Sequence, residues 1–341
     1  MTTIRIIASR LAGRAAPLAL AAALVAGAAN AAGAAPAEIA LPGDRAFPES
    51  LTSTRDGTLF VGSMAEGGIK RAVPGATAAE PWIAPGADGT RSIFGLLADE
   101  STGTLWACSS DVSDWGIPGP GDTKGSALKA FDLRTGKLKG STALPGGDAV
   151  CNDIAIGPDG GVYVTDIVGS RVLKLRPGRD GFDVWATDER FTPPPDDGGL
   201  DGIAFGSDGA LYVTAFSKGD LFKVEVTKGG AAGEITALKP SRPLTLPDGL
   251  RAYDGRRFLM AEDRRFLMAE GGGTLDLVTV EGDAAKIETL KAGLAGPVAV
   301  TQVGNTAWVA EGQLAYLFDP ALKGKKPNLP FRIVAVPLPA R

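Results

Sequence analysis

The sequence has no histidine and only two cysteines in 341 residues. Without histidine there can be no Ser-His-Asp triad, no histidine dyad, no His-ligated zinc and no imidazole general base. Proton transfer, if the chain performs any, falls to a carboxylate or a metal-bound water. Two cysteines, Cys108 and Cys151, allow one intramolecular disulfide; the alternative is a pair of buried thiols. No basic cluster is present and the formal charge is −4, which argues against nucleic acid as a partner and does not favour an acidic ligand. Helical periodicity is missing too. Apolar residues alternate with period two, as in LYVT at 211–214 and VYVT at 162–165.

The chain's apolar stretch, residues 15–29, falls short of the roughly 20 residues that span a bilayer. It follows Arg5, Arg10 and Arg14 and leads into small-residue sites at 29–31 and 32–34. Residues 1–34 therefore read as a signal peptide cleaved near 31 or 34, and the expected location is the periplasm or the exterior. No cysteine follows the cleavage site, so a lipid anchor is not expected, nor is membrane attachment after cleavage. Residues 35–341 form one domain. The 47 glycines and 24 prolines suit many tight turns rather than long helices.

One short phrase recurs six times, starting at Asp56, Thr102, Asp159, Asp208, Asp254 and Gly304: DGTLFVGS, TGTLWACS, DGGVYVTD, DGALYVTA, DGRRFLMA and GNTAWVAE. The starts are 46, 57, 49, 46 and 50 residues apart, close to the length of a four-stranded propeller blade. The expected fold is an all-β, six-bladed β-propeller of four-stranded antiparallel blades around a central axis, which also hides most sheet edges. Glu38 to Leu41 and Phe331 to Val336 are the candidates to complete one blade together.

Each phrase follows a shorter apolar run: PESLTS, FGLLAD, CNDIAI, LDGIAF, PDGLRA or GPVAVT. These read as the innermost strands. Two positions before their aliphatic anchors stand Glu49, Phe94, Asn152, Asp201, Asp248 and Val298, which a closed ring brings to one point on the axis. An Asp or Asn before glycine also makes turns. Four aligned oxygen donors in six repeats, however, suit a hard divalent cation: Ca²⁺ first, with Zn²⁺, Mg²⁺ or Mn²⁺ as alternatives. In the fifth repeat RRFLMAED at 256–263 is followed by RRFLMAE at 264–270. Eight is even, so side-chain alternation survives and either copy can occupy the strand while the other bulges near the rim.

The PE, CNDIA and PDGL segments, each coupled to a DGxLYV-type strand, resemble the SMP-30/gluconolactonase/LRE-like six-bladed propellers, relatives of the strictosidine-synthase-like and paraoxonase-type propellers. The resemblance covers about residues 38 to 341. It implies a divalent cation held by Glu49, Asn152, Asp201 and Asp248, with Asp201 where the family usually has Asn. It also implies hydrolysis of a lactone or related ester, with Asp248 as ligand and as general base or nucleophile. Among the family's substrate contacts Asp153 is present, while the arginine position is Val150. With Phe94 and Trp115 nearby, that implies a less polar lactone or ester. Trp115 lies in the Gly/Pro-rich segment 109–125, a candidate lid. The expected assembly is a monomer, and the alternative function is a non-enzymatic exported propeller that binds a protein or small ligand, its cation structural.

Overall fold

The computed structural model describes residues 36–195, 197–253, 265–322 and 324–339. The signal-peptide reading of residues 1–34 lies outside them. Among the described residues no helix is long and apolar enough to cross a membrane.

Six antiparallel sheets stand in a ring, each beginning with an inner strand: Pro48–Ser53, Ser92–Asp99, Cys151–Ile156, Leu200–Phe205, Pro247–Ala252 and Pro297–Val303. These strands are almost fully buried, whereas an outermost strand such as Leu138–Ala143 is largely exposed. The architecture is the six-bladed β-propeller that the repeat implies. Glu38–Leu41 pairs with Phe331–Pro337 as the outer strand of blade six, so the two ends of the domain close the ring. Blade five carries a fifth, two-residue strand, Lys239–Pro240, running parallel to Ala284–Ala292.

The recurring DG has a local cause. Asp56 accepts the backbone N–H of Thr58 at 2.9 Å, and Asp159 and Asp208 likewise accept those of Gly161 at 3.1 Å and Ala210 at 3.2 Å. The glycine after each of these acids has a positive φ, +91° at Gly57, which a side chain would strain. The hairpin is therefore written into the phrase itself. Aromatic contacts then join blades, as where Tyr163 meets Phe205 of the next blade edge-on at 4.9 Å.

Three acids at the ends of second strands tie down the loops that lead into inner strands. Asp166 accepts Val150 N at 3.0 Å, Glu270 accepts Thr245 N at 2.5 Å and Glu311 accepts Ala295 N at 2.8 Å. Each is paired with an arginine, Arg171, Arg242 or Arg332. The paths of inner strands three, five and six are thereby set before the axis is reached.

In blade five the second copy of the doubled motif supplies the strand. Arg265–Glu270 pairs with Pro247–Ala252 on one side and Thr274–Glu281 on the other. The first copy, including the bulge expected of it, lies outside the described residues.

Cys108 and Cys151 form a disulfide between the second strand of blade two and the inner strand of blade three, both residues fully buried. The bridge spans 43 residues of sequence. In the chain-entropy account a closure of that length stabilises by about 4 kcal/mol. Replacing both cysteines by serine is expected to lower the unfolding free energy by about 3–4 kcal/mol in urea titration; an unchanged midpoint would contradict it.

Candidate functional site

Every inner strand breaks register with its neighbour at the same level. The irregularities fall between Pro48 and Ser50, Ile93 and Leu96, Cys151 and Ile154, Leu200 and Ile203, Pro247 and Leu250, and Pro297 and Ala299. These intervals contain Glu49, Phe94, Asn152, Asp201, Asp248 and Val298. A bulge re-aims a side chain out of the normal alternation, and here it does so six times around one axis.

Glu49, Asn152, Asp201 and Asp248 accordingly line one small axial cavity together with Asp153, Arg251 and Val298. All four donors are buried. Asn152 Nδ2 donates to Asp201 Oδ1 at 2.7 Å, and the Asp248 carboxyl lies against that of Asp201. Threonines hold the backbone here: Thr165 Oγ1 donates to Asp201 O at 2.6 Å and Thr214 Oγ1 to Asp248 O at 3.2 Å.

The strands meet at distances that only glycine permits. A Cβ on Gly202 would stand 2.2 Å from Asp248 O, and one on Gly95 would stand 2.4 Å from Asn152 O. Both obstacles are backbone and cannot rotate away. Gly202→Ala is expected to destabilise by about 2–3 kcal/mol in denaturant unfolding, because it pushes the fifth inner strand off the fourth. A loss below about 0.5 kcal/mol would show that the ring relaxes freely.

The electrostatics follow from crowding. Burial, then the charges of Asp201 and Asp153, push the Glu49 carboxyl well above its ordinary range. Burial and Asp153 raise Asp201 to about 7, against hydrogen bonds from Asp248 and Asn152. Asp248, buried and facing Asp201 and Glu49, is pushed well up. The cluster therefore retains protons that isolated carboxyls would lose.

The donor set fits a hard divalent cation in its chemistry: three carboxyls and a carboxamide, all offering oxygen, whose crowded ionisation a cation would favour by displacing the retained protons. As placed, the side chains bond to one another. Among the described residues no group of three or more acidic, histidine or cysteine side chains is arranged as a ready metal cage.

Arg251 is the residue of this cavity that the motif alignment passes over. Its guanidinium grips Asp153 with both Nη atoms, at 2.6 and 2.9 Å, joining blades five and three across the axis. Asp153 Oδ2 also accepts Ile203 N at 3.2 Å. The expected substrate contact Asp153 is thus engaged as a brace. Burial opposes the arginine's charge, but Asp153, Glu49 and Asp248 hold the proton on. A signal for Arg251 did exist: it is the only basic residue in the six inner strands.

Phe94 and Val150 share an apolar cluster, both buried. Trp115, 39% exposed, stands edge-on to Phe94 at 6.1 Å and to Phe318 at 6.3 Å, so segments from blades two and six meet over this end of the axis. The candidate lid is pinned. Buried Arg91 donates to Pro118 O at 2.6 Å, to Pro120 O at 3.1 Å, to Gly121 O and to Asp111 Oδ1 at 2.7 Å. Nothing in the repeat pattern pointed to Arg91.

No family model and no curated protein sequence matches the chain. Solved structures do. A calcium-binding protein, regucalcin, from Agrobacterium tumefaciens aligns with a TM-score of 0.58 at 14% identity over 89% of this chain and 98% of its own. A gluconolactonase from Xanthomonas campestris aligns at 0.57 and 14% identity, covering 87% and 88%. A catalytically inactive histidine-to-alanine variant of virginiamycin B lyase from Staphylococcus aureus aligns at 0.55 and 17% identity, covering 87% and 83%. At such identities the likeness shows the fold alone, and the six blades are those of this chain's own sheets.

Proposed function

We propose that the chain is an exported, divalent-cation-dependent hydrolase of a lactone or related ester, of the SMP-30/gluconolactonase/LRE-like type. The observation that carries this reading is the convergence of Glu49, Asn152, Asp201 and Asp248 on one buried axial cavity, with carboxyls that crowding forces to keep their protons. The calcium-binding and gluconolactonase neighbours support it by analogy of fold. The lyase neighbour is inactive without a particular histidine, and this chain has no histidine to play that part.

A bound divalent cation, Ca²⁺ by donor type, supplies polarisation of a carbonyl and acidification of a water. Glu49, Asn152, Asp201 and Asp248 would hold it through their oxygens. By the family resemblance Asp248 would act both as a cation ligand and as general base or nucleophile, and a bound cation would favour the ionised carboxylate that either role needs. Arg251 holds Asp153 in place beside the cluster. Val150, Phe94 and Trp115 favour a weakly polar acyl group at the rim. The proposed enzyme is a monomer in the periplasm or outside the cell, with a small lactone or ester as its partner.

A second reading makes the cation structural in a ligand-binding propeller. The small size of the axial cavity and the Arg251–Asp153 brace across it favour that reading. Elemental analysis of the purified protein, with a panel of lactones, esters and phosphoesters assayed with and without chelator, separates the two. Bound calcium with chelator-sensitive turnover supports the hydrolase. Bound metal without turnover on any of them supports the structural role.

A further inference from the structure

Blade three departs from its neighbours at one position. The residue that follows the axial one is small in the other five repeats: Ser50, Gly95, Gly202, Gly249 and Ala299. In blade three it is Asp153, so this inner strand alone offers the axial cavity an amide and a carboxylate in succession, both buried. Regular alternation would send one of the two to the opposite face. Asn152 nevertheless reaches Asp201 while Asp153 receives Arg251. Both act from inside the register break: Cys151 pairs with Asp166 and Ile154 with Val164, and the two residues between them fall out of the ladder. Their aim depends on how the strand is held at either side of the break.

The upstream side is held by blade two. Cys151 is bonded to Cys108 of the second strand, Thr104–Ser110, and its N–H donates to Ser126 Oγ at 2.9 Å, at the start of the third strand, Ser126–Asp132. Ser126 Oγ and Ser110 Oγ stand 2.6 Å apart, and Ser110 Oγ donates to Cys151 O at 3.4 Å. Side chain, N–H and carbonyl of one residue are thus all tied to the neighbouring blade. No other inner strand has a covalent tie, since the chain has no further cysteine. Blade two also presses on the break itself, for a Cβ on Gly95 would stand 2.8 Å from Asp153 Cα.

We propose that the Cys108–Cys151 bridge, with the Ser110–Ser126 hydroxyl pair, is the positioning device of the axial site: it fixes the break that presents Asn152 and Asp153 together. The inference rests on Asn152 being a cation donor, which the hydrolase and structural-cation readings share. Cys151 stands next to that donor in sequence, and groups that orient a ligand are commonly worth 10- to 100-fold in metal affinity.

The test is calorimetric titration of Ca²⁺ into metal-free protein, at a temperature where every variant is folded. Cys108→Ala with Cys151→Ala should weaken Ca²⁺ binding at least tenfold. Ile333→Ala, a large-to-small change at a fully buried position of blade six, which supplies no oxygen donor, lowers stability without touching the break and should leave the affinity within twofold. In the cation-free protein the Asp153 amide, bonded to Thr165 Oγ1 at 3.0 Å, should exchange with solvent at least tenfold faster in the double variant than in Ile333→Ala. Should the double variant fail to fold, Ser126→Ala keeps the bridge, removes the acceptor of Cys151 N–H and should weaken Ca²⁺ about fivefold. Parent protein that binds no Ca²⁺ overturns the cation reading and this proposal with it. Parent that binds, with an unchanged affinity in the double variant or an equal loss in Ile333→Ala, overturns the proposal alone.

Discussion

Asp248→Asn is expected to lower cation-dependent lactone hydrolysis by about 10³-fold or more, the usual cost of removing a group that acts in the transition state. The same change should leave the cation-free protein as stable as the parent at pH 8, or more so. Asp248 is buried against Asp201 and Glu49 and is pushed well up, so in the parent the folded state must either keep a proton or tolerate mutual repulsion. An asparagine amide can still donate to Asp201 and carries no charge to desolvate. Activity and stability should therefore move in opposite directions, a pattern that general misfolding would not produce. A variant with full turnover would remove Asp248 from the chemistry; one that loses turnover and stability together would make its role structural.

The cation-free protein is expected to lose stability as pH rises from 5 to 8. Glu49, Asp201 and Asp248 have raised carboxyls, Asp201 to about 7, so the folded chain holds protons that the unfolded chain has already released. Where the folded state binds more protons, unfolding free energy falls as pH rises, and the contribution is lost as pH passes through the folded value. For a shift of this size the loss is on the order of 3–4 kcal/mol, or about 5–10 °C in melting temperature for a domain of this length. Added Ca²⁺ should raise the melting temperature more at pH 8 than at pH 5, because binding competes with those protons. The absence of histidine sharpens the measurement, since the side chains that ordinarily titrate in this window are missing. A cation-free protein that gained stability between pH 5 and 8 would show that the three carboxyls are not crowded as described.

Much of the fold was legible because its instructions are local. Asp159 and Gly160 turn a hairpin with atoms a few residues away, and the flanking alternation sorts inner from outer faces without reference to other blades. The pairing of Glu38–Leu41 with Phe331–Pro337 was legible for a related reason, since five complete repeats leave one blade short of a strand. The four donors could be aligned because the bulge recurs at one level in each repeat.

Other features had no local signature. Arg251 and Asp153 are 98 residues apart, and nothing near either names the other. Arg91 holds a loop 27 to 30 residues further along through backbone carbonyls that carry no residue identity. Two identical copies of RRFLMAE were equivalent as strings; the copy ending at Glu270 makes the strand because it is the one continuous with the Gly271–Gly273 turn and the following strand.

The sequence by itself determined six blades, their closure, the single possible disulfide and the four oxygen donors at one level, since each depends on a short repeated pattern. Only the tertiary structure decided that these donors are buried against one another, that Arg251 braces the axis through Asp153 and that a second mouth opens at the far ends of the inner strands. Those properties depend on burial and on distances across the ring, which exist only once distant segments have closed upon one another.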